Sequence, residues 1–135
     1  MTLAEVVIAM AITGLAVGGI VTGYLYCTNS AEKAGLYLAA SARALERIEE
    51  TRSVKWDTAV SPVVDQLVAT NFPSKIVTLD LSGAGVGVVS GTLNTTISNI
   101  SVNPPLKRIR VDCVWKYRGK ETIVTSIETC RAPDQ

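Results

Sequence analysis

From Val6 to Ala31 the sequence VVIAMAITGLAVGGIVTGYLYCTNSA carries no charge, and every lysine and arginine lies at Lys33 or beyond. As a helix, Val6 to Cys27 is long enough to cross the roughly 30 Å hydrocarbon layer of a bilayer. Burying the same run inside a soluble protein would take a larger domain than the rest of this 135-residue chain supplies. The stretch also lacks the basic start, the short apolar core and the small-residue cleavage site of a secretory signal. It is therefore expected to be a retained apolar helix, residues 1–30, joined to a globular part, residues 31–135.

Nothing from Met1 to Arg52 demands a break in helix except glycines, which a bilayer tolerates. Thr2 followed by Glu5 has the spacing of a capping box. Beyond Asn29 the pattern becomes amphipathic. Leu38, Ala42, Leu45 and Ile48 fall on one stripe, and Arg43 with Glu46, Arg47 with Glu50 and Glu49 with Arg52 are spaced for surface ion pairs. The helix is expected to run on through residues 31–53. A connecting loop over 54–75, with a helical turn near Val63 to Val68, should follow. The period then changes to two, and Ile76–Leu81, Gly85–Leu93, Thr96–Val102, Lys107–Tyr117 and Glu121–Thr129 are strand candidates within an antiparallel sheet over 76–130. The fold class is α+β: a long N-terminal helix whose amphipathic half packs on a C-terminal antiparallel sheet.

The last hairpin can be read residue by residue. A three-residue loop ending at Lys120 pairs Trp115 with Ile123 and Val111 with Ile127 on one face, and Arg110 with Glu128 on the other. A two-residue loop would split the apolar residues between faces, so the longer loop is preferred. Ile109, Val111, Cys113, Trp115, Ile123 and Ile127 then form an inner face that the Leu38, Leu45 and Ile48 stripe would cover. This register sends Cys113 inward and Cys130, opposite Arg108, outward. A disulfide between them would require the chain to leave the ladder near Thr129. Cys27 is expected to pack as a small apolar residue.

Composition narrows function by removal. A net charge of +1 and the lack of a basic stripe give no reason to expect nucleic acid. With no histidine, the usual general base and metal ligand are missing. The three cysteines are too widely spaced for a zinc site. No G-x-S-x-G elbow is present, and the G-x-G-x-x-S-G within SGAGVGVVSG (82–91) is followed by no helix pattern, so that run is expected to be a loop or hairpin. The chain is expected to be no enzyme and to use no cofactor or metal. Asn94 and Asn99 head glycosylation sequons, but alternation in a Ser/Thr-rich strand alone explains them.

Two features of the apolar helix point beyond a simple anchor. Glu5 places a carboxylate where an ionised one must be neutralised or paired. It is either a cap at the membrane edge or the partner of a cation from another chain, such as a neighbour's α-amino group. Gly14 with Gly18 and Gly19 with Gly23 form two G-x-x-x-G pairs, the arrangement that lets helices approach closely in lipid.

The opening MTLAEVVIAMAITGLAVGGIV resembles the mature N-terminus of type IV pilins and of the related pseudopilins of type II secretion systems. ALERIEETRSVKWD and LKRIRVDCVWKYRGKETIVTSIET resemble later segments of pilin-like proteins of the minor-pilin or pseudopilin type. About Thr58 to Pro104 is unmatched. Two positions depart from the pattern: Thr22 stands where many major pilins have proline, and Ala4 where a larger apolar residue is common.

The resemblance implies cleavage of a leader by a prepilin peptidase before Met1, and N-methylation at Met1. It also implies residence in the cytoplasmic membrane, then extraction by an assembly platform into a helical filament of this and other pilins. By the resemblance Glu5 would pair with the α-amino group of a neighbouring subunit, while Gly14, Gly18, Gly19 and Gly23 are expected to serve helix packing on their spacing. The filament would lie at the cell surface, or in the periplasm for a pseudopilin. Three roles follow: a structural subunit of such a filament, an accessory subunit that primes or caps one, or a membrane-tethered binding domain. The first is preferred. Tyr24, Tyr26 and Tyr37 are expected at the membrane interface and in subunit packing.

Overall fold

The computed structural model describes residues 2–80 and 88–134. Leu81 to Gly87, where most of the glycine-rich run falls, lie outside the described residues, as does Met1. A single helix, α1, runs Leu3–Ser53, and the chain divides into two compact units at Gly35 and Leu36. The first unit is helix alone. The second contains the last turns of α1, the hairpin β1 (Trp56–Asp57) and β2 (Val64–Asp65), a 3-10 turn at Ala69–Asn71, and four strands: β3 (Lys75–Thr78), β4 (Ser90–Val102), β5 (Pro105–Tyr117) and β6 (Glu121–Arg131).

The four strands form an antiparallel sheet in chain order, so each is joined to its neighbour by the connection that follows it. The fold is α+β, as the change of hydrophobic period implies. The last hairpin has the expected register: Trp115 opposite Ile123, Val111 opposite Ile127, and Arg110 opposite Glu128. Arg118 (φ 48°) and Gly119 (φ 70°) both take left-handed backbone, and the Lys120 N–H donates to the Tyr117 carbonyl at 3.0 Å. Ile109, Val111, Cys113 and Trp115 are buried on the inner face, with Ile123 and Ile127 half-buried beside them.

The helix face that covers this sheet is not the expected one. Leu36, Ala40, Ala44 and Ile48 join the core, with Arg47 and Thr51 also buried, whereas Leu38 and Leu45 stay 73% and 51% exposed and Ala42 is exposed too. Of the expected stripe only Ile48 packs inward. The reason is geometric. Ala40 and Ala44 are fully buried in one cluster with Leu93 and the β5 side chains, where two leucines would need more volume than a close-packed core leaves.

Two other expectations change. Gly85–Leu93 and Thr96–Val102 are not separate strands, because Asn94 and Thr95 stay in the ladder opposite Asp112 and Val111 as part of β4. Asn94 Oδ1 accepts from Ser74 Oγ at 2.8 Å and Thr95 Oγ1 accepts from Arg47, so their polar groups need no turn to be satisfied. The segment 54–75 is not a plain loop. It holds the β1–β2 hairpin, and its single helical turn lies at Ala69–Asn71 rather than near Val63 to Val68. The possible Cys113–Cys130 disulfide is not formed, in keeping with the register that sent the two residues to opposite faces: all three cysteines are free. Cys113 faces the core opposite Thr125 and Cys130 is exposed opposite Arg108, with the ladder intact through Arg131, so their side chains leave opposite faces of the sheet.

Candidate functional site

The apolar helix is the candidate site, and its chemistry begins at its first turn. The Thr2 N–H donates to Glu5 Oε2 at 2.8 Å and the Glu5 N–H donates to Thr2 Oγ1 at 3.4 Å. That is the reciprocal capping box anticipated from the spacing, and it satisfies two of the donors that every helix start leaves open. Glu5 therefore has a partner within its own chain, through one carboxylate oxygen.

Along the following turns the polar side chains are turned back onto the helix. Thr13, Thr22 and Thr28 donate from Oγ1 to the carbonyls of Ala9, Gly18 and Tyr24 at 2.8, 2.8 and 2.9 Å. In hydrocarbon this matters, since an unpaired hydroxyl has no water to turn to. What remains on the surface is apolar: Leu3, Val6, Ile8, Met10, Leu15 and Ile20 are all exposed, and the helix is long and apolar enough to cross a membrane. A Cβ added at Gly14, Gly18, Gly19 or Gly23 would meet nothing within 4 Å, so these glycines leave open surface at which another helix could approach. Cys27 is exposed on the same helix, as the apolar residues around it are.

Among the described residues the globular unit presents no comparable site. Its two buried cations are internal fasteners. Arg47, 8% exposed, donates to Thr95 Oγ1 (3.2 Å), Glu50 Oε2 (2.6 Å) and the Pro73 carbonyl (2.6 Å), with its guanidinium 5.4 Å from the Phe72 ring centre. Lys107 donates to both Asp65 oxygens (2.7 and 2.6 Å) and to the Leu67 carbonyl (2.8 Å), with Trp56 4.8 Å away. Together they tie the 54–75 segment to the helix and sheet. Sequence reasoning gave Arg47 only its Glu50 partner and gave Lys107 none. Their acceptors come from distant positions, and no local spacing announces them.

On the outer face of the sheet Arg110 bonds Asp112 at 2.9 Å and lies 3.5 Å from Glu128, and Ser126 donates to Asp112. Partial burial alone would raise the Asp112 carboxyl, but the hydrogen bonds from Ser126 and Arg110 hold it below its ordinary value. Burial pushes the Cys113 thiol up, away from reactive thiolate. Among the described residues no group of three metal-ligating side chains converges. Of the sequence-predicted residues, Glu5 and the four glycines lie along one helix, and Cys113 and Cys130 stay apart on two strands.

No protein-family model, curated protein or solved structure matches this chain.

Proposed function

We propose that this protein is a structural subunit of a type IV pilus-like filament, held in the membrane by its N-terminal helix before assembly and polymerising through that helix. The observation that carries the reading is a helix from Leu3 to Cys27 that is exposed and apolar on every side, yet opens with a carboxylate. A plain anchor needs neither Glu5 nor four glycines at helix-packing spacing. A helix that leaves lipid for a bundle of its own kind uses both: the glycines admit neighbouring backbones, and the second carboxylate oxygen of Glu5 can accept a hydrogen bond from a neighbour's α-amino group.

The globular unit supports the same reading. Leu38 and Leu45, exposed on the side of α1 away from the sheet, leave the amphipathic half apolar on two faces, one covered by its own sheet and one open. Met1 would be the processed and methylated residue by the resemblance of the opening motif.

Replacing Glu5 by Ala should leave the protein in the membrane fraction and abolish or cripple filaments seen by negative-stain microscopy. Abundant normal filaments from that variant would overturn the proposal.

A further inference from the structure

Three contacts within the globular unit fix the direction in which α1 crosses the sheet. The Thr51 carbonyl accepts from Arg131, which faces Lys107 at one end of β5, and Arg47 reaches Thr95, opposite Val111 further along. Ala39 and Ala42 line a cavity with Thr78 and Leu79, and Thr78 faces Ser90, one step beyond the Gly91–Trp115 pair. Followed back from Thr51 to Ala39, the helix therefore runs toward the end of the sheet where the β5–β6 turn lies, and the chain enters the unit there. Only eight residues, 28–35, separate Cys27, where the expected span ends, from Leu36, where the unit begins. Eight residues of helix cover about 12 Å, and a bilayer carries a headgroup layer of about 5–8 Å on each side of its hydrocarbon. So short a tether keeps this end of the unit beside the headgroups while the helix is in lipid.

The same end carries a surface suited to an anionic amphiphile. A groove of about 520 Å³ on the outer face is lined by the apolar Val88 and Val114 and by the cationic Lys116 and Arg118, and by no carboxylate. Ile76, Thr92, Val114 and Val124 lie opposite one another on successive strands, so an apolar row crosses the outer face through this groove. Ile76 and Val124 at its two ends are exposed. Over 116–121 the chain holds three cations and one carboxylate, Glu121, and among the described residues no acceptor meets the Lys116 ammonium.

We propose that this groove binds the headgroup of an anionic membrane phospholipid, with Lys116 and Arg118 on the phosphate and Val88 and Val114 against the apolar part next to it. The globular unit then docks on the bilayer surface before assembly. This rests on the membrane-held state of the reading above and assigns that state a second contact with lipid. Attraction of cations to an anionic surface falls off within a Debye length, so salt should loosen the docked unit without releasing the helix.

The test uses full-length protein with Cys27 and Cys130 replaced by Ser. It is reconstituted in vesicles of phosphatidylcholine alone, or of equal parts phosphatidylcholine and phosphatidylglycerol, each with a trace of nitroxide-headgroup lipid. A fluorophore on Thr122→Cys, opposite Lys116, should be quenched several-fold more strongly in the mixed vesicles. On Ser98→Cys, at the other end of the outer face, it should show no such difference. Lys116→Gln with Arg118→Gln should bring quenching at Thr122→Cys down to the phosphatidylcholine level with far-UV circular dichroism unchanged, whereas Lys116→Arg should keep the excess. Equal quenching in both vesicles, or an excess that survives the loss of both charges, would overturn the docking and leave the membrane helix standing. A chain that floats with neither vesicle would overturn the membrane reading and this proposal with it.

Discussion

Arg47 on the helix and Thr95 on β4 are joined side chain to side chain, with guanidinium Nε donating to Oγ1 at 3.2 Å inside the core-facing surface of α1. The same guanidinium reaches Glu50 and the Pro73 carbonyl, so one residue fastens the helix, the sheet and the 54–75 segment. Arg47→Ala should cost about 2–3 kcal/mol, the range for losing charge-assisted bonds while their acceptors stay partly buried. Arg47→Lys should recover only part of this, because an ammonium on a flexible stem cannot span three fixed acceptors as a planar fork does. Urea unfolding followed by tryptophan fluorescence measures both variants.

Gly91 sits between Val77 of β3 and Trp115 of β5, with no room for a side chain. A Cβ there would come within 2.9 Å of Cys113 Sγ and 3.3 Å of Leu79 Cδ1. Gly91→Ala should destabilise by about 1–3 kcal/mol through overpacking. Pairing it with Cys113→Ala removes the nearest obstacle. The double variant should therefore be more stable than the sum of the two single losses implies, and a double-mutant cycle in urea reads that coupling.

These two sites show what the amino-acid order discloses and what it hides. The β5–β6 register was legible because a single loop length places Val111, Trp115, Ile123 and Ile127 on one face and pairs Arg110 with Glu128 on the other. The buried helix face was not, since Leu38 and Leu45 carry more hydrophobicity than Ala40 and Ala44, yet it is the small alanines that are fully buried in the core and the leucines that stay exposed. Asn94 and Thr95 look like a turn until Ser74 and Arg47 supply their partners from far along the chain. At the N-terminus the local half of the site, the Thr2 and Glu5 capping box, was readable from a three-residue spacing. The pairing of the other carboxylate oxygen with a neighbour's amine is the proposed half of the site, and a single folded chain does not display a contact between molecules.

Gly119 holds φ at 70° with open space around its missing Cβ, so a substitution there tests backbone conformation without a packing change. Gly119→Ala should lose about 1 kcal/mol, the cost of left-handed backbone for a residue with a β-carbon. Gly119→Asn should lose less, since Asn enters that region more readily. The two midpoints in urea, measured side by side, separate conformational cost from side-chain size.

After β6 the chain turns back to Trp56. The Asp134 N–H donates to the Trp56 carbonyl at 2.7 Å, the Trp56 N–H donates to Asp134 Oδ2 at 2.9 Å, and Arg131 bonds both Asp134 and the Thr51 carbonyl. The Trp56 N–H, followed by Arg131, holds the Asp134 carboxyl below its ordinary value. A carboxyl depressed in the folded state adds stability above its unfolded pKa, about 3.9, and loses it as pH falls through the lower folded value. Wild-type protein should therefore exceed Asp134→Asn in stability at neutral pH, and the difference should shrink from about pH 4 downward. Urea midpoints for both proteins between neutral and strongly acidic pH test this. A difference that stays constant across the series would mean that the Asp134 charge adds nothing to this clasp.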